Sequence, residues 1–308
     1  MARALITGAS SGIGACIARE LSALGYETVL VARRLEKLQE LQQELAASSV
    51  IEKVDLSDME SVLALARRHA DIDVLVNCAG FGVFGEFDKT DVSTEEKMLR
   101  ININALHFLM KAYLPHMKEH GGKILNVASS AAFFPGPLFA SYYASKAYVY
   151  RLSLAVREEL RRSGADVTVS VLCPGPVKTP FNALAGVKAG MGAITPEYAA
   201  KCAVRGLMRG KAVIVPGLLN KLTRLLSAFL PDRFYSMIVY NLQKAKGGNK
   251  VSEIPVAPGE EHWLLDTSLD EVYWPSSHSR AIPSFPSQLE WKIGLAWANT
   301  RGSLNSPS

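Results

Sequence analysis

Short apolar runs that alternate with helical patterns constrain the fold of this chain more than any other feature. The runs are rich in Val, Ile and Leu and lack the polar alternation of a strand with one face in water. Apolar strands separated by helices are typical of a parallel sheet covered on both faces. The sequence therefore predicts a doubly wound α/β fold. The runs span 4–6, 28–32, 73–77, 123–129, 167–172 and 212–216, with a weaker one at 50–54.

Two helix starts carry capping signals. Ser93 is an N-cap candidate with Glu96 three residues later, which is the spacing of a capping box. Thr195 is a second candidate, and Pro196 follows it at the first helical position. We expect a helix to begin at each of them.

Composition excludes several classes of function. The 308 residues are 48% hydrophobic and 20% charged, with a formal charge of +5, and no basic block interleaved with aromatics indicates a nucleic-acid site. The four cysteines form no CxxC pair, so we expect buried thiols in a reducing compartment and no metal. Because no leader precedes the first strand and no apolar run is long enough to span a bilayer, we expect a cytoplasmic location.

The composition changes near residues 244–250. All four tryptophans lie beyond this point, together with repeated Pro and Ser. Residues 247–308 carry 4 basic and 7 acidic residues, whereas residues 1–246 carry 30 and 22. We predict one domain at 1–246 and a poorly ordered extension at 247–308. Alternatively, its tryptophans fold back onto the body or onto a partner.

A glycine-rich loop follows the first strand and opens the first helix. In "ITGASSGIG" at 6–14, Gly8, Gly12 and Gly14 allow a tight turn and close approach of a pyrophosphate to the helix N-terminus. Such loops also occur as plain turns, but the strand–loop–helix context favours a dinucleotide site. The other candidate residues of the loop are Thr7, Ser10, Ser11 and Ile13.

Two arginines after the second strand bear on which dinucleotide binds. A carboxylate at this place would favour NAD, whereas the guanidinium groups of Arg33 and Arg34 suit a 2′-phosphate. The sequence therefore favours NADP, with Arg33 as the first contact and Arg34 as the second. Alternatively, Arg34 merely begins a solvated helix.

The stretch "SYYASKAY" at 141–148 places a phenol and an ammonium one helical turn apart. Tyr142 and Lys146 are related as i and i+4 and share a helix face, whereas Tyr143 points elsewhere. A nearby ammonium stabilises a phenolate and lowers the pKa of tyrosine, which is otherwise about 10. We interpret Tyr142 and Lys146 as an acid–base pair and Tyr143 as a packing residue.

With four further segments, these features resemble the short-chain dehydrogenase/reductase family, in its NADP-preferring branch. The loop has the spacing TGxxxGxG, and "NCAG" at 77–80 is similar to the family's NNAG, with Cys78 in place of the second Asn. "NVASS" places Ser129 13 residues before Tyr142, "PGPVKT" at 174–179 matches PGxVxT, and "VDLSD" supplies Asp55. The match covers about residues 3–215 in the right order.

The resemblance implies a Rossmann fold and a set of residue roles. Tyr142 would give a proton to the developing alkoxide, Ser129 would bind the substrate oxygen, and Lys146 would hold the cofactor ribose. Asn102 would hold a water that connects Lys146 to solvent. The further cofactor contacts implied are Asp55, Leu56, Asn77, Ala79, Gly80, Pro174, Gly175, Val177 and Thr179.

The family's helix asparagine has two candidates in "RININALHF". Asn102 has the small Ala105 three residues later, and the Leu-Pro pair at 114–115 follows in register. Asn104 fits this pattern less well, so we choose Asn102. Asn104 is then a polar residue at a helix surface or interface.

The region after the last strand carries an apolar helical stripe. Leu218, Leu222, Leu225, Leu226 and Phe229 oppose Lys221 and Arg224. The stripe docks on the sheet, lies in a subunit interface or rests on a membrane. We favour the first two over peripheral membrane contact through 218–243. "FNALAGVKAGMGAI" at 181–194 is a candidate mobile lid within the substrate segment 181–246.

The resemblance implies an NADP(H)-dependent carbonyl reductase or alcohol dehydrogenase, assembled as a homodimer or homotetramer. An apolar C-terminal segment favours a hydrophobic ketone or aldehyde, with a 3-oxoacyl thioester as an alternative substrate. Epimerisation or dehydration through a transient ketone is another reaction that the same residues support. A non-enzymatic NADP-sensing regulator is the alternative from a different class.

Overall fold

The computed structural model describes residues 2–181, 185, 192–227, 229 and 231–246. All of them lie in the first of the two units into which the chain divides, Met1–Ile254 and Pro255–Ser308. The predicted extension at 247–308 and most of the predicted lid at 181–194 lie outside the described residues. The domain boundary at residue 246 therefore stays a prediction.

Seven parallel strands form one sheet in the order β3-β2-β1-β4-β5-β6-β7. Every apolar run singled out in the sequence contributes a strand, including the weak run at 50–54, which forms β3 at the sheet edge. The predicted doubly wound fold is confirmed. The strands are β1 (Arg3–Thr7), β2 (Glu27–Ala32), β3 (Ser49–Lys53), β4 (Val74–Asn77), β5 (Gly122–Val127), β6 (Val167–Leu172) and β7 (Val213–Ile214).

Helices connect the strands and cover both faces of the sheet. Those of the first six connections are α1 (Gly12–Ala23), α2 (Leu35–Glu44), α3 (Met59–Arg68), α4 (Val92–Leu99), α5 (Leu106–His120), α6 (Ala140–Arg162) and α7 (Pro196–Met208). A π-helical turn (Arg100–Ala105) joins α4 to α5, and a 3₁₀ turn (Ser130–Phe133) follows β5. After β7 come α8 (Leu218–Leu226) and α9 (Asp232–Lys246).

The sheet separates two apolar layers. On one face, side chains of α3, α5 and α6, such as Leu65, Leu109 and Val149, pack on the strands. On the other face, side chains of α1, α2 and α7, among them Ile17 and Leu38, do the same. Burial of the strands on both faces explains why their sequences are continuous apolar runs.

The order in which successive strands are added to the sheet reverses between β1 and β4. Strands β2 and β3 lie on one side of β1, whereas β4 and its successors lie on the other. In open parallel sheets, a crevice for ligands forms at this point, beyond the carboxyl ends of the strands. The glycine loop, "NCAG", "NVASS" and "PGPVKT" follow β1, β4, β5 and β6 at this same edge.

One predicted helix cap is confirmed and the other is wrong. The Thr195 hydroxyl accepts a hydrogen bond from the N–H of Tyr198 at 3.2 Å and caps α7, with Pro196 in the first turn. Helix α4 instead begins at Val92, and its N-cap lies two residues before the predicted one. Its N-cap is Asp91, whose carboxylate accepts from the N–H of Thr94 at 2.7 Å, whereas the Ser93 hydroxyl binds Asp91 at 2.6 Å.

Substitution of the two residues should separate these capping roles. Asp91→Ala should lower the free energy of unfolding by about 1 kcal/mol, because it removes the acceptor for a helix N–H. Ser93→Ala should cost about 0.5 kcal/mol or less, as expected of an exposed position that caps nothing. Urea denaturation of both variants measures the difference, and a larger loss for Ser93→Ala would contradict the assignment.

Candidate active site

The glycine loop, residues 8–14, leaves no room for a side chain at its first or its last residue. Gly8 has a φ of 70°, and a Cβ on it would lie 2.9 Å from the Cα of Ala79 in the turn after β4. A Cβ on Gly14 would overlap the carbonyl oxygen of Gly8. The loop therefore packs backbone to backbone against its surroundings, and the bare N-terminus of α1 that results suits a phosphate.

Arg34 lies against this loop. Its Nη2 donates to the hydroxyl oxygens of Ser10 at 3.0 Å and Ser11 at 2.9 Å. Helix α2 begins at the next residue, so Arg34 stands at a helix start, as the alternative interpretation has it, and its contact with a 2′-phosphate stays a prediction. The guanidinium places a positive charge beside the two loop serines.

Arg33 belongs to a different group of charges, around Asp55. Burial opposes ionisation of Asp55, but hydrogen bonds from the N–H and hydroxyl of Ser57, together with the charges of Lys97 and Arg33, hold its pKa below the usual value. The Ser57 bonds measure 2.9 and 2.7 Å, and the Nζ of Lys97 lies 3.8 Å from the carboxylate. The two neighbouring arginines therefore interact with different groups, Arg34 with the loop serines and Arg33 with Asp55.

Thr7 ties the end of β1 to the turn after β4. Its hydroxyl accepts from the N–H groups of Cys78 at 3.0 Å and Ala79 at 3.2 Å, and it donates to the carbonyl of Val76 at 3.3 Å. These bonds occupy the hydroxyl of Thr7, which was a predicted cofactor contact. Thr7 therefore positions the walls of the crevice.

Asn77 anchors a buried polar chain below the crevice. Its Nδ2 donates to Asn126 at 2.9 Å, and Asn126 in turn donates to the Ser153 hydroxyl at 2.9 Å. The Oδ1 of Asn77 is buried and has no hydrogen-bond partner in the described part of the chain. An unpaired buried acceptor of this kind carries a free-energy cost, and the oxygen has almost no accessible surface to offer a ligand.

Cys78, which stands where the family has its second asparagine, contributes a neutral thiol. Burial raises its pKa to about 12, and burial does the same for Cys173. Both sulfurs lie close enough to Lys146 to influence its ionisation. They are uncharged neighbours of Lys146 at neutral pH.

Tyr142 and Lys146 share a buried face of α6, as predicted. Tyr142 is 8% exposed and Lys146 is 5% exposed. The Nζ of Lys146 lies 5.8 Å from the centroid of the Tyr142 ring and donates to the carbonyl of Val127 at 3.0 Å. The lysine therefore links α6 to the end of β5.

The protein alone raises the pKa of Tyr142. Burial is the main cause, and a hydrogen bond with Ser129 acts in the opposite direction. The pKa is therefore raised and not lowered as predicted, because burial outweighs the groups that favour the phenolate. Burial also lowers the pKa of Lys146 to about 8. At neutral pH the site therefore holds a protonated phenol and a charged lysine.

Ser129 lies at the start of the 3₁₀ turn that follows β5. Its hydroxyl oxygen accepts from the N–H of Ala131 at 3.1 Å and caps that turn. The N–H of Ser130 binds the carbonyl of Pro174 at 2.8 Å, which joins the turn to "PGPVKT". Both contacts orient Ser129 toward Tyr142.

Asn102 sits in the π-helical turn between α4 and α5 and is 1% exposed. Its Nδ2 donates to the carbonyl of Phe81 at 2.9 Å and to the hydroxyl of Ser145 at 3.0 Å, and its Oδ1 accepts from the N–H of Phe81 at 3.1 Å. Both amide hydrogens are thus occupied, so its predicted role as a water ligand stays a prediction. Asn104 is exposed, in agreement with its reading as a surface residue.

Gly80 shows how closely Asn102 and Lys146 approach the turn after β4. A Cβ on Gly80 would lie 2.7 Å from the Oδ1 of Asn102 and 3.3 Å from the Nζ of Lys146. Any larger residue would push one of them aside. The glycine was predicted as a cofactor contact, and its observed role includes room for both side chains.

The "PGPVKT" segment forms the far wall of the crevice. Val177 bridges to Ile194, and the N–H of Thr179 binds the carbonyl of Val177 at 2.9 Å. The Cγ2 of Thr179 lies 3.1 Å from the place where a Cβ on Gly12 would be, so the segment touches the glycine loop. Gly175 lies directly under the side chain of Asn220 in α8.

The side chain of Leu56 is 5% exposed and packs in the apolar layer, so a cofactor contact at this residue would be made by its backbone. The side chain of Ile13 is half-buried and packs against the opposite layer. Both residues stay predicted cofactor contacts.

Apolar and aromatic side chains surround Tyr142. Its ring stacks on Phe139 with 4.6 Å between centroids and contacts Phe181 at 5.4 Å. A Cβ on Gly82 would collide with both Phe139 and Tyr142, so this glycine lets the rings approach. Sequence reasoning missed Phe139, Phe181 and Gly82, because nothing local distinguishes them from other apolar residues.

Tyr143 points away from the crevice, in agreement with its predicted packing role. Its hydroxyl accepts a hydrogen bond from the Nε2 of Gln243 in α9 at 2.9 Å, and its ring covers Gly136. Tyr143 therefore attaches the last helix to the body of the domain. Ser145 and Asn220 were also missed, although Ser145 could have been noticed within the Tyr–Lys motif.

The assembled crevice fits a phosphorylated dinucleotide. The glycine loop has no side chains where a pyrophosphate would pass, and Arg34 adds positive charge beside it. The ammonium of Lys146 lies further along the same edge, at the end of β5. The ribose of such a molecule would find a donor there.

Comparison with known proteins agrees with this geometry. The pattern of the short chain dehydrogenase family matches residues 2–189. An NADP-dependent 3-hydroxy acid dehydrogenase of Escherichia coli is 36% identical over 179 residues, which are 56% of this chain and 71% of that protein. The chain belongs to the short-chain dehydrogenase family.

Solved structures resemble this short-chain dehydrogenase over most of their own length. A short-chain dehydrogenase from Sphingobium yanoikuyae in complex with NADPH has a TM-score of 0.67 and 28% identity, over 75% of this chain and 96% of that one. The bulky-bulky ketone specific alcohol dehydrogenase from Comamonas testosteroni has a TM-score of 0.63 and 25% identity, over 86% and 99%. The predicted Rossmann fold of this family is thereby confirmed.

Proposed function

We propose that this short-chain dehydrogenase interconverts a hydrophobic ketone or aldehyde with its alcohol. The chain is an NADP-dependent oxidoreductase of its family, and the substrate class is our proposal. The observation that carries it is the burial of Tyr142 between Phe139 and Phe181, beside Ser129 and Lys146. A proton donor enclosed by apolar side chains suits an apolar carbonyl compound.

The residues of the chain divide the proton chemistry among them. Bound NADPH supplies a hydride to the carbonyl carbon. Tyr142 is protonated at neutral pH because burial raises its pKa, so its hydroxyl gives a proton to the carbonyl oxygen. Ser129 donates a hydrogen bond to that oxygen while its negative charge grows. The charged Lys146 stabilises the phenolate that remains on Tyr142.

The names of the Comamonas and E. coli enzymes point to two different substrate classes, bulky ketones and 3-hydroxy acids. The stacked rings around Tyr142 favour the bulkier, less polar class here. A 3-oxoacyl thioester reductase is the second candidate, since the acyl chain on one side of such a ketone is apolar.

A regulator that only senses NADP is disfavoured by the same site. Such a protein has no use for a proton donor that is buried with a partner serine and a charged lysine. Stoichiometric consumption of NADPH separates net reduction from sensing, and from epimerisation or dehydration through a transient ketone.

Subunit pairing through the α5 and α6 region remains a prediction. The two helices meet at a contact between the Nδ1 of His107 and the hydroxyl of Tyr148 at 2.8 Å. Phe108 and Tyr148 are each 37% exposed beside it. Exposed aromatic side chains of this kind suit a homodimer or homotetramer interface.

The two adjacent tyrosines provide a matched test of the proposed reaction. NADPH oxidation should be screened with aldehydes, ketones and 3-oxoacyl thioesters, with NADH in parallel. On the best substrate, Tyr142→Phe should lower kcat by about 10²–10⁴-fold, since it removes the proton donor. Tyr143→Phe should retain most of the activity, because its hydroxyl binds only Gln243. Equal losses would contradict the assignment of Tyr142.

The two adjacent arginines provide a matched test of cofactor selectivity. The sequence favoured Arg33 over Arg34 as the phosphate contact, but the bonds of Arg34 to Ser10 and Ser11 lead us to propose the reverse order. Arg34→Ala should raise the Kd for NADPH about tenfold or more, as loss of a charged hydrogen bond does. The Kd for NADH should change little.

Arg33→Ala is the control for this experiment, with fluorescence titration of both cofactors as the measurement. It should have the smaller effect on NADPH, because the positive charge of Arg33 acts on the Asp55 carboxylate. A larger loss of NADPH affinity for Arg33→Ala, or an equal loss of NADH affinity for Arg34→Ala, would contradict the proposed order.

A further inference from the structure

Helices α8 and α9 expose an unusual amount of apolar side chain. No residue of α8 is buried, although five of its nine residues are leucines. Leu218 is 82% exposed and Leu225 59% exposed, and Phe229 beyond the helix end is 75% exposed. The predicted docking of this stripe on the sheet is therefore wrong. The other exposed apolar residues are Leu219, Leu222, Leu226, Phe234, Met237, Ile238 and Leu242.

Each helix is attached to the body through a face other than its exposed apolar face. In α8, Asn220 covers Gly175, while Leu218, Leu222 and Leu225 lie on the opposite side of the helix. In α9, Tyr235, Val239 and Gln243 are buried, at intervals of four residues. Phe234, Met237 and Ile238 lie on the far face of α9. The exposed apolar faces are thus not the ones that hold the helices in place.

The same helices are strongly basic. Residues 216–246 contain five Lys and Arg and a single acidic residue, Asp232. Lys221 lies beside the leucine stripe of α8, whereas Arg224 turns toward the body, where its Nη2 donates to the hydroxyl of Tyr150 at 3.4 Å. In α9, the Nζ of Lys244 lies 6.0 Å from the centroid of the Tyr240 ring. An apolar helix face flanked by basic residues is typical of a helix that lies in a lipid interface.

We propose that the exposed faces of α8 and α9 bind the surface of an anionic membrane. Anionic headgroups would neutralise the flanking Lys and Arg while the leucines and phenylalanines enter the acyl boundary. A second copy of the chain fits less well, because a two-fold contact through this surface would bring the same positive charges together. No helix in the described part of the chain could cross a bilayer, so the contact is peripheral.

Helix α8 lies next to the wall of the candidate active site. Asn220 packs on Gly175 in the wall of the crevice, and Leu219 approaches Gly192 beyond that wall. A membrane that holds α8 would therefore lie beside the crevice. The inference itself rests on exposure and charge, and it is independent of the proposed substrate.

Flotation of the full chain with lipid vesicles tests this proposal. The protein should float with vesicles that contain phosphatidylglycerol, and the bound fraction should fall with added salt. The double variant Leu222→Ser/Leu225→Ser should bind about tenfold or more weakly, since it removes two leucine side chains that the membrane would bury. Lys221→Gln should weaken binding about fivefold.

Leu63→Ser is the matched control, because Leu63 is an exposed leucine on α3. It should bind vesicles as the unchanged protein does, and all variants should keep their affinity for NADPH, which reports an intact fold. Absence of flotation with phosphatidylglycerol vesicles would overturn the proposal. So would self-association that the double variant abolishes while vesicle binding persists, since the face would then belong to a second copy.

Discussion

The contact of the glycine loop with the turn after β4 is the constraint on which the rest of the site depends. Gly8 touches Ala79 with no space for a Cβ between them, and the Thr7 hydroxyl binds the N–H groups of Cys78 and Ala79. These contacts hold the carboxyl ends of β1 and β4 together where the order of the strands reverses. The phosphate loop, Gly80 and Asn102 then follow in a continuous line along one edge of the sheet.

Burial is the second constraint, and it acts on the two ionisable groups in opposite senses. It raises the pKa of Tyr142 and lowers that of Lys146 to about 8, so each group is held nearer its neutral form. The protonated phenol is the form that acts as an acid in a reductase, although a raised pKa makes it a weaker acid than free tyrosine. In the oxidative direction the phenol must ionise, and the ammonium of Lys146 is the nearest source of stabilisation in the chain.

Much of the fold and most of the site could be predicted because their signals are local. A buried parallel strand must be a continuous apolar run, and a phosphate loop must consist of small residues in a set order. The cap of α4 could not be predicted as surely, since Asp91 and Ser93 are both good N-cap residues two positions apart. The different partners of Arg33 and Arg34 depend on how the chain turns at the end of β2, which no local pattern states.

Two other features depend on tertiary structure alone. Burial governs the pKa of Tyr142, and Phe181, one of the rings packed on it, comes from a segment 181 − 142 = 39 residues further along the chain. The periodicity of α8 predicted an amphipathic helix correctly, but it did not show which surface would cover the leucines. The structure shows that the domain itself leaves them exposed.

The central claim is that Tyr142 delivers the proton at the point where the hydride is transferred. A crystal structure of the complex with NADP and a substrate analogue tests it most directly. The account predicts the Tyr142 and Ser129 oxygens on the same side of the nicotinamide C4, each within about 2.6–3.2 Å of the analogue's oxygen. A Tyr142 hydroxyl that points away from C4, out of reach of that oxygen, would contradict it.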